Sequence, residues 1–135
     1  MSVFATIKLA YNVLRQIDQG AERALVQTAD AVRKDIKKAQ VIPFDTGTLQ
    51  DSMFTDPVNR KQVDIVFSTP YARRLFYHPE YNFHREPWTG PDGKEHTRVN
   101  ENAKGHWTED WEAGGSREDF AEKQFAKAFR RGAGL

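Results

Sequence analysis

Hydrophobic and polar positions follow different rhythms along the chain. From Ala21 onward, Ala21, Leu25, Thr28, Val32, Ile36 and Ala39 recur at steps of three or four, the period of one helical face. Asp30/Lys34 and Asp35/Lys38 supply oppositely charged neighbours on the other faces. Pro43 disfavours a helical conformation in the residue before it, so the spacing predicts a helix over 21–40. Ahead of it, residues 1–17 read as an arm. Val3, Ala5, Ile7, Leu9 and Tyr11 alternate as in a strand, whereas Phe4, Ile7, Tyr11 and Leu14 fit a helix. A short strand to Leu9 and a helical turn over 11–17 accommodate both, before Asp18 and Gly20 interrupt the pattern.

Across 44–78 the period shortens to two. Gly47 and Thr48 lead into a strand from Leu49 to Thr55, Asp56-Pro57-Val58-Asn59 reads as a turn, and "QVDIVFS" alternates as a second strand. The two predict an antiparallel hairpin. "PYARRLFYHP", bracketed by Pro70 and Pro79, either continues as strand or forms a single turn. Residues 79–115 have no period and hold Tyr81, Phe83, Trp88, Trp107 and Trp111 among Pro, Gly, Asn and charged residues; a structureless stretch this long is uncommon unless functional or ordered by a partner. "GPDGK" within it reads as the tip of a small hairpin. A final helix is predicted over 116–131, with Ser116 as its cap, Asp119 three residues on, and Phe120, Ala121, Phe125, Ala128 and Phe129 as its apolar side. Lys127, Arg130 and Arg131 suit the negative end of its dipole. The expected fold is α+β: a long N-terminal amphipathic helix and a C-terminal helix packed on a small antiparallel sheet, with a long irregular aromatic loop, in a single domain over 1–135.

Composition narrows the function classes. A chain of 135 residues supports one modest core. It is 39% hydrophobic and 29% charged, and a mean hydropathy of −0.73 points to thin burial. A formal charge of +1 makes no strong field for nucleic acid or an acidic membrane. The absence of cysteine removes disulfides, thiol nucleophiles and thiolate metal sites, and fits a reducing compartment. The opening "MSVFATIKLAYNVLRQ" is too short and mixed for a membrane span and lacks a basic leader, so a cytoplasmic setting is expected.

Three groups of residues invite chemical readings. Asp45-Thr46-Gly47 matches the loop that presents the catalytic carboxylate of aspartic proteases. That chemistry needs two carboxylates sharing a proton, hence a homodimer here, and a β-rich frame with a flap that the sequence lacks. As a turn, Asp45 and Thr46 cap the chain and Gly47 takes a positive φ, the stronger of the two readings. His78, His84, His96 and His106 follow no zinc spacing, and no metal or other cofactor is expected. Trp88, Trp107 and Trp111 could stack bases, but "WTEDWE" is acidic and repels phosphate. Core burial is the commoner fate of such aromatics, with a protein interface the second choice.

The ordered set "VIPFDTGTLQDS" after a long helix, "STPYARRLFYHPEYNF" after a strand, "NENAKGHWTEDW", and a Phe/Lys-rich final helix resembles the minor capsid proteins of tailed bacteriophages and prophages. These are similar in turn to phage neck and tail-completion proteins, which carry Pro-x-Asp-Thr-Gly-x-Leu after a helix and Tyr-Ala after a strand. The resemblance spans about Ala21 to Arg131. The stretch "EPWTGPDGKEHTR" is longer than the family's usual connection. What the resemblance implies is a non-enzymatic virion protein at the head–tail junction, assembled in the host cytoplasm as a homo-oligomeric ring of six or twelve copies. Its partners would be the other connector proteins: portal, adaptor, stopper and tail terminator. Non-specific contact with packaged DNA is compatible with that place; contact with a membrane is not expected. By matching positions, Pro43, Phe44, Asp45, Thr46, Gly47 and Leu49 form a structural hinge from helix to sheet. Tyr71, Ala72, Tyr81, Phe83, Trp88, Trp107 and Trp111 are candidate contacts between subunits or with partners.

Overall fold

The computed structural model describes residues 6–9, 19–44, 47–59 and 62–132, with backbone only for 6–9 and residue 19. The helical turn expected over 11–17 and the pair Asp45-Thr46 lie outside the described residues. The architecture is α+β, as the patterning indicates. Strand β1 (Thr6–Leu9) precedes helix α1 (Gln19–Lys38); a single turn, α2 (Thr48–Asp51), leads to strands β2 (Met53–Asn59) and β3 (Gln62–Phe67). Helix α3 (Ala72–Phe76), the short strands β4 (Trp88–Thr89) and β5 (Glu95–His96), a 3-10 turn at Glu109–Trp111 and helix α4 (Phe120–Gly132) complete the order.

Helix α1 organises the core. Ala21, Leu25, Thr28, Val32 and Ile36 are all at most 5% exposed, so the face read from the sequence is the buried one. That face packs on α4 to one side and on β2 and β3 to the other. It meets Val63, Ile65 and Phe67, the inward positions of β3, and Ala121, Phe125 and Ala128 of α4. On the solvent side Asp30 pairs with Lys34 at 3.0 Å and with Arg33 at 2.7 Å. Hydrogen bonds from these cations hold the Asp30 carboxyl below its ordinary pKa. Asp35 does not pair with Lys38. It accepts instead from Arg117 Nε at 2.7 Å and Trp111 Nε1 at 2.8 Å, tying α1 to the segment before α4.

The main sheet has the order β1-β3-β2, antiparallel throughout. The N-terminal strand is therefore docked on its own sheet, with Thr6 opposite Val66 and Leu9 opposite Val63. The expected turn at Asp56–Asn59 is instead part of β2, which runs to Asn59 with a register irregularity between Pro57 and Asn59. Proline survives there because β2 is an outer strand, where a missing N–H costs no ladder bond on the open side. The strand also starts later than expected. Residues 48–51 form a helical turn, closed by Ser52 Oγ donating to the Leu49 carbonyl at 2.7 Å and accepting from Ser68 N at 3.2 Å.

Three further boundaries differ from the sequence pattern. Helix α1 ends at Lys38 through Gln40, whose φ of 57° is left-handed, so the stop comes before Pro43 acts. Residues 72–76 are helical, the single turn that is one of the two readings of "PYARRLFYHP", and they interrupt the sheet expected over 44–78. The last helix begins at Phe120, because residues 115–119 close turns instead: Arg117 N donates to the Asp110 carbonyl and Gly114 N to Glu118 Oε2 at 2.8 Å. Phe129 is left 38% exposed, outside the apolar face assigned to it.

Candidate functional site

The segment connecting α1 to the sheet is built from both sides. On its inner side, residues 100–104 hold the chain that leaves α1. Asn102 N donates to the Gln40 carbonyl and Lys104 N to the Val41 carbonyl, both at 3.0 Å, while Asn102 Nδ2 reaches the Ala39 carbonyl at 2.9 Å. These bonds satisfy the carbonyls of the three residues that follow the last helical residue, Lys38. Asn100, itself 7% exposed, donates to the Ile42 carbonyl at 2.7 Å and to Gln50 Oε1 at 2.9 Å. Lys104 anchors the far end, 2.8 Å from Glu109 and 3.3 Å from Asp110. Burial pulls its pKa down, but the hydrogen bonds it donates to both carboxylates outweigh that and raise it.

On the outer side the same segment borders a groove of about 660 Å³. Pro43, Phe44, Gly47 and Leu49 form one wall. Gly47 has the positive φ expected of it, 87°, and a Cβ there would stand 3.0 Å from Phe44 Cε2. The glycine therefore lets the backbone turn beneath the Phe44 ring, over which Arg98 lies at 5.0 Å. Tyr71, Arg74 and Leu75 on and beside α3 form a second wall. The loop supplies the third with Tyr81, Phe83 and Trp88.

The loop wall is stiffened by ring stacking. Trp88 lies between His84 and His96, with centroid distances of 3.7 and 4.1 Å and interplanar angles of 4° and 7°. The register of β4 and β5 places Trp88 directly opposite His96, with "GPDGK" at the hairpin tip as expected. Tyr81 stacks on His78 at 4.7 Å, and its hydroxyl accepts from Arg74 Nε at 3.3 Å. That hydrogen bond raises the Arg74 pKa, and a hydrogen bond from His78 lowers that of Glu80. All four histidines are thus in ring contact with aromatic side chains, His106 lying edge-on to Phe76. Among the described residues, no three His, Asp or Glu gather as metal ligands, and no helix is long and apolar enough to cross a membrane.

The structure brings together eight of the sequence-selected residues around this groove: Pro43, Phe44, Gly47, Leu49, Tyr71, Tyr81, Phe83 and Trp88. Others are corrected by burial. Trp107 is fully buried, edge-on to Phe67 at 5.4 Å and Phe76 at 4.9 Å, and Trp111 is 6% exposed with its indole N–H on Asp35. Ala72 is also fully enclosed. These three belong to the core of the monomer and present no surface to a partner. Sequence reasoning missed the residues 100–104 that brace the groove from behind, and Arg74, its guanidinium. Their signal was in the quoted strings "NENAK" and "YARRLF", but contacts with segments so distant in sequence are not written in either string. Comparison with protein-family models, with curated proteins and with solved structures finds no match to this chain.

Proposed function

We propose that this chain is a structural, non-enzymatic component of a tailed-phage or prophage head–tail junction, assembling as a closed homo-oligomeric ring. The observation that carries it is the convergence of the quoted motifs on one corner of the fold. Pro43, Phe44, Gly47 and Leu49 of the first motif and Tyr71, Arg74, Leu75, Tyr81 and Phe83 of the second line a single groove, and "NENAK" clamps the backbone behind it. Strings that resemble a family's ordered motifs, and that prove to be one spatial unit, support a shared scaffold better than any one of them does alone. The unit is aromatic and cationic, a composition suited to protein contact. A protein of near-zero net charge can carry both signs on different sectors, which suits head-to-tail contacts that close by rotation.

The test is removal and localisation. In a phage or prophage that encodes this chain, deleting its gene should leave filled heads and tails that fail to join. Restored particles should contain the chain in neck density at side-chain resolution. Particles that assemble normally without it sink the assignment. Asp45→Asn in the complementing copy should preserve joining, because the carboxylate has no chemical step to perform; joining lost together with a proteolytic event would restore the protease alternative.

A further inference from the structure

We propose that the groove of one copy receives the outer-strand ridge Phe54, Asp56 and Val58 of a second copy, with Asp56 facing Arg74. The inference rests on the ring-forming assignment above and names the contact that would build the ring. Alternation along β2 sends Met53 inward, 6% exposed, and turns Phe54 outward, 39% exposed; Val58, at the register irregularity, is 51% exposed. Asp56 lies between Phe54 and Val58 in sequence, on the same face as Phe54, and is exposed. This is an apolar ridge with a carboxylate at its centre.

The ridge and the groove are complementary in charge. Among the described residues, the lining of the groove contains Arg74 and His84 and no Asp or Glu. Arg74 is fully exposed and bonded only to the neutral Tyr81 hydroxyl among the described residues. On the ridge, Asp56 stands directly opposite Asp64 in the sheet register. Like charges at such positions repel across the strands. The Asp64 carboxylate accepts a hydrogen bond from Gln62 Nε2 at 2.9 Å. The Asp56 carboxylate, on the outermost strand, has neither a hydrogen bond nor an ion pair among the described residues. A cation delivered by a neighbour would relieve it.

Geometry also selects side-chain insertion over strand addition. Pro57 lacks the N–H that an added strand would need, so the open edge of β2 is a poor template for a continued sheet. The groove volume of about 660 Å³ lies within the range of sites that enclose a drug-sized group, enough for the Phe54 ring and its neighbours. None of the ridge residues lines the groove, so donor and acceptor surfaces are different parts of one chain. Such a contact is heterologous, and repeating it produces a ring or a filament instead of a two-fold dimer.

The chain has no cysteine, which makes the contact directly testable. Val58→Cys marks the ridge and Tyr71→Cys the groove rim. With a short bismaleimide, mixing the two variants should give a covalent heterodimer, each alone should remain uncross-linked, and a chain carrying both should give a ladder. Self-linking of either single variant as efficiently as the mixture overturns the proposal, as does a chain that is monomeric at its highest soluble concentration. Independently, Asp56→Arg and Arg74→Asp should each weaken association at least about tenfold, and both together should restore most of it. A double variant no better than the singles rejects the pairing. Failure of this contact is separable from failure of the connector assignment. A working charge swap in a chain absent from particles leaves the contact standing, whereas neck density with the ridge turned away from the neighbouring groove removes the contact alone.

Discussion

Asn100 serves two acceptors from one amide group, the Ile42 carbonyl and Gln50 Oε1, at a site almost without solvent. Truncation to Ala strands both acceptors and should cost about 2 kcal/mol of folding stability, since a buried polar group without its partner keeps its desolvation penalty. Asn100→Asp is expected to be worse near neutral pH. The Gln50 amide can turn to offer its Nε2, but the Ile42 carbonyl would then face a carboxylate. Urea unfolding checks this order, and the Asp variant should recover as acid returns a proton that can donate. Gly47 offers a second comparison. Gly47 and Gly93 have nearly equal φ, 87° and 81°, yet a Cβ at Gly93 meets nothing within 4 Å while one at Gly47 meets the Phe44 ring at 3.0 Å. Gly93→Ala should therefore lose about 1 kcal/mol through backbone strain alone, and Gly47→Ala clearly more. Equal losses would show that the Phe44 ring yields freely, and that the glycine is needed only for its backbone.

At the scale of elements, the end of α1 is held by a segment more than sixty residues downstream, and Lys104 gives that hold a pH dependence. Its folded-state pKa is raised above the ordinary 10.5 by Glu109 and Asp110. Its contribution is therefore complete below 10.5 and fades as pH rises through the elevated value. The melting-temperature difference between the native chain and Lys104→Met should stay constant from neutral pH to about 10 and shrink above it; a difference that shrinks towards acid instead would assign the effect to the carboxylates. This clamp also shows what the sequence could disclose. The phase of α1 was readable because burial repeats every turn, and Leu25, Val32 and Ile36 obey it. The turn at 48–51 was hidden because it depends on Ser52 bonding to Ser68 across the sheet. Asp56-Pro57 looked like a turn because proline forbids an inner strand, and nothing local says that β2 is outermost. Groove residues could be picked out one by one as aromatics or motif positions. Their meeting could not, since it joins 43–49 to 71–88 through tertiary packing.

For the whole molecule, a net charge of +1 leaves room for local opposites: a ridge on β2 with the Asp56 carboxylate, and a groove at the α1–sheet corner with the Arg74 guanidinium. With almost no net charge, copies meet without long-range repulsion, so the local pairing of Asp56 with Arg74 can set their orientation. Salt separates that electrostatic part from the apolar part. Raising ionic strength from 0.1 to 1 M shortens the screening length from about 10 to about 3 Å, which weakens an ion pair at a rim while leaving ring burial intact. Association measured by sedimentation should therefore fall several-fold over that range. The unfolding midpoint should move little, because exposed intrachain pairs such as Asp119–Lys123 are screened by solvent and contribute little to stability. In Asp56→Asn the salt response of association should flatten while that of folding stays the same. If association instead strengthens with salt in both chains, apolar burial governs the contact, and the carboxylate on the ridge has no part in choosing its partner.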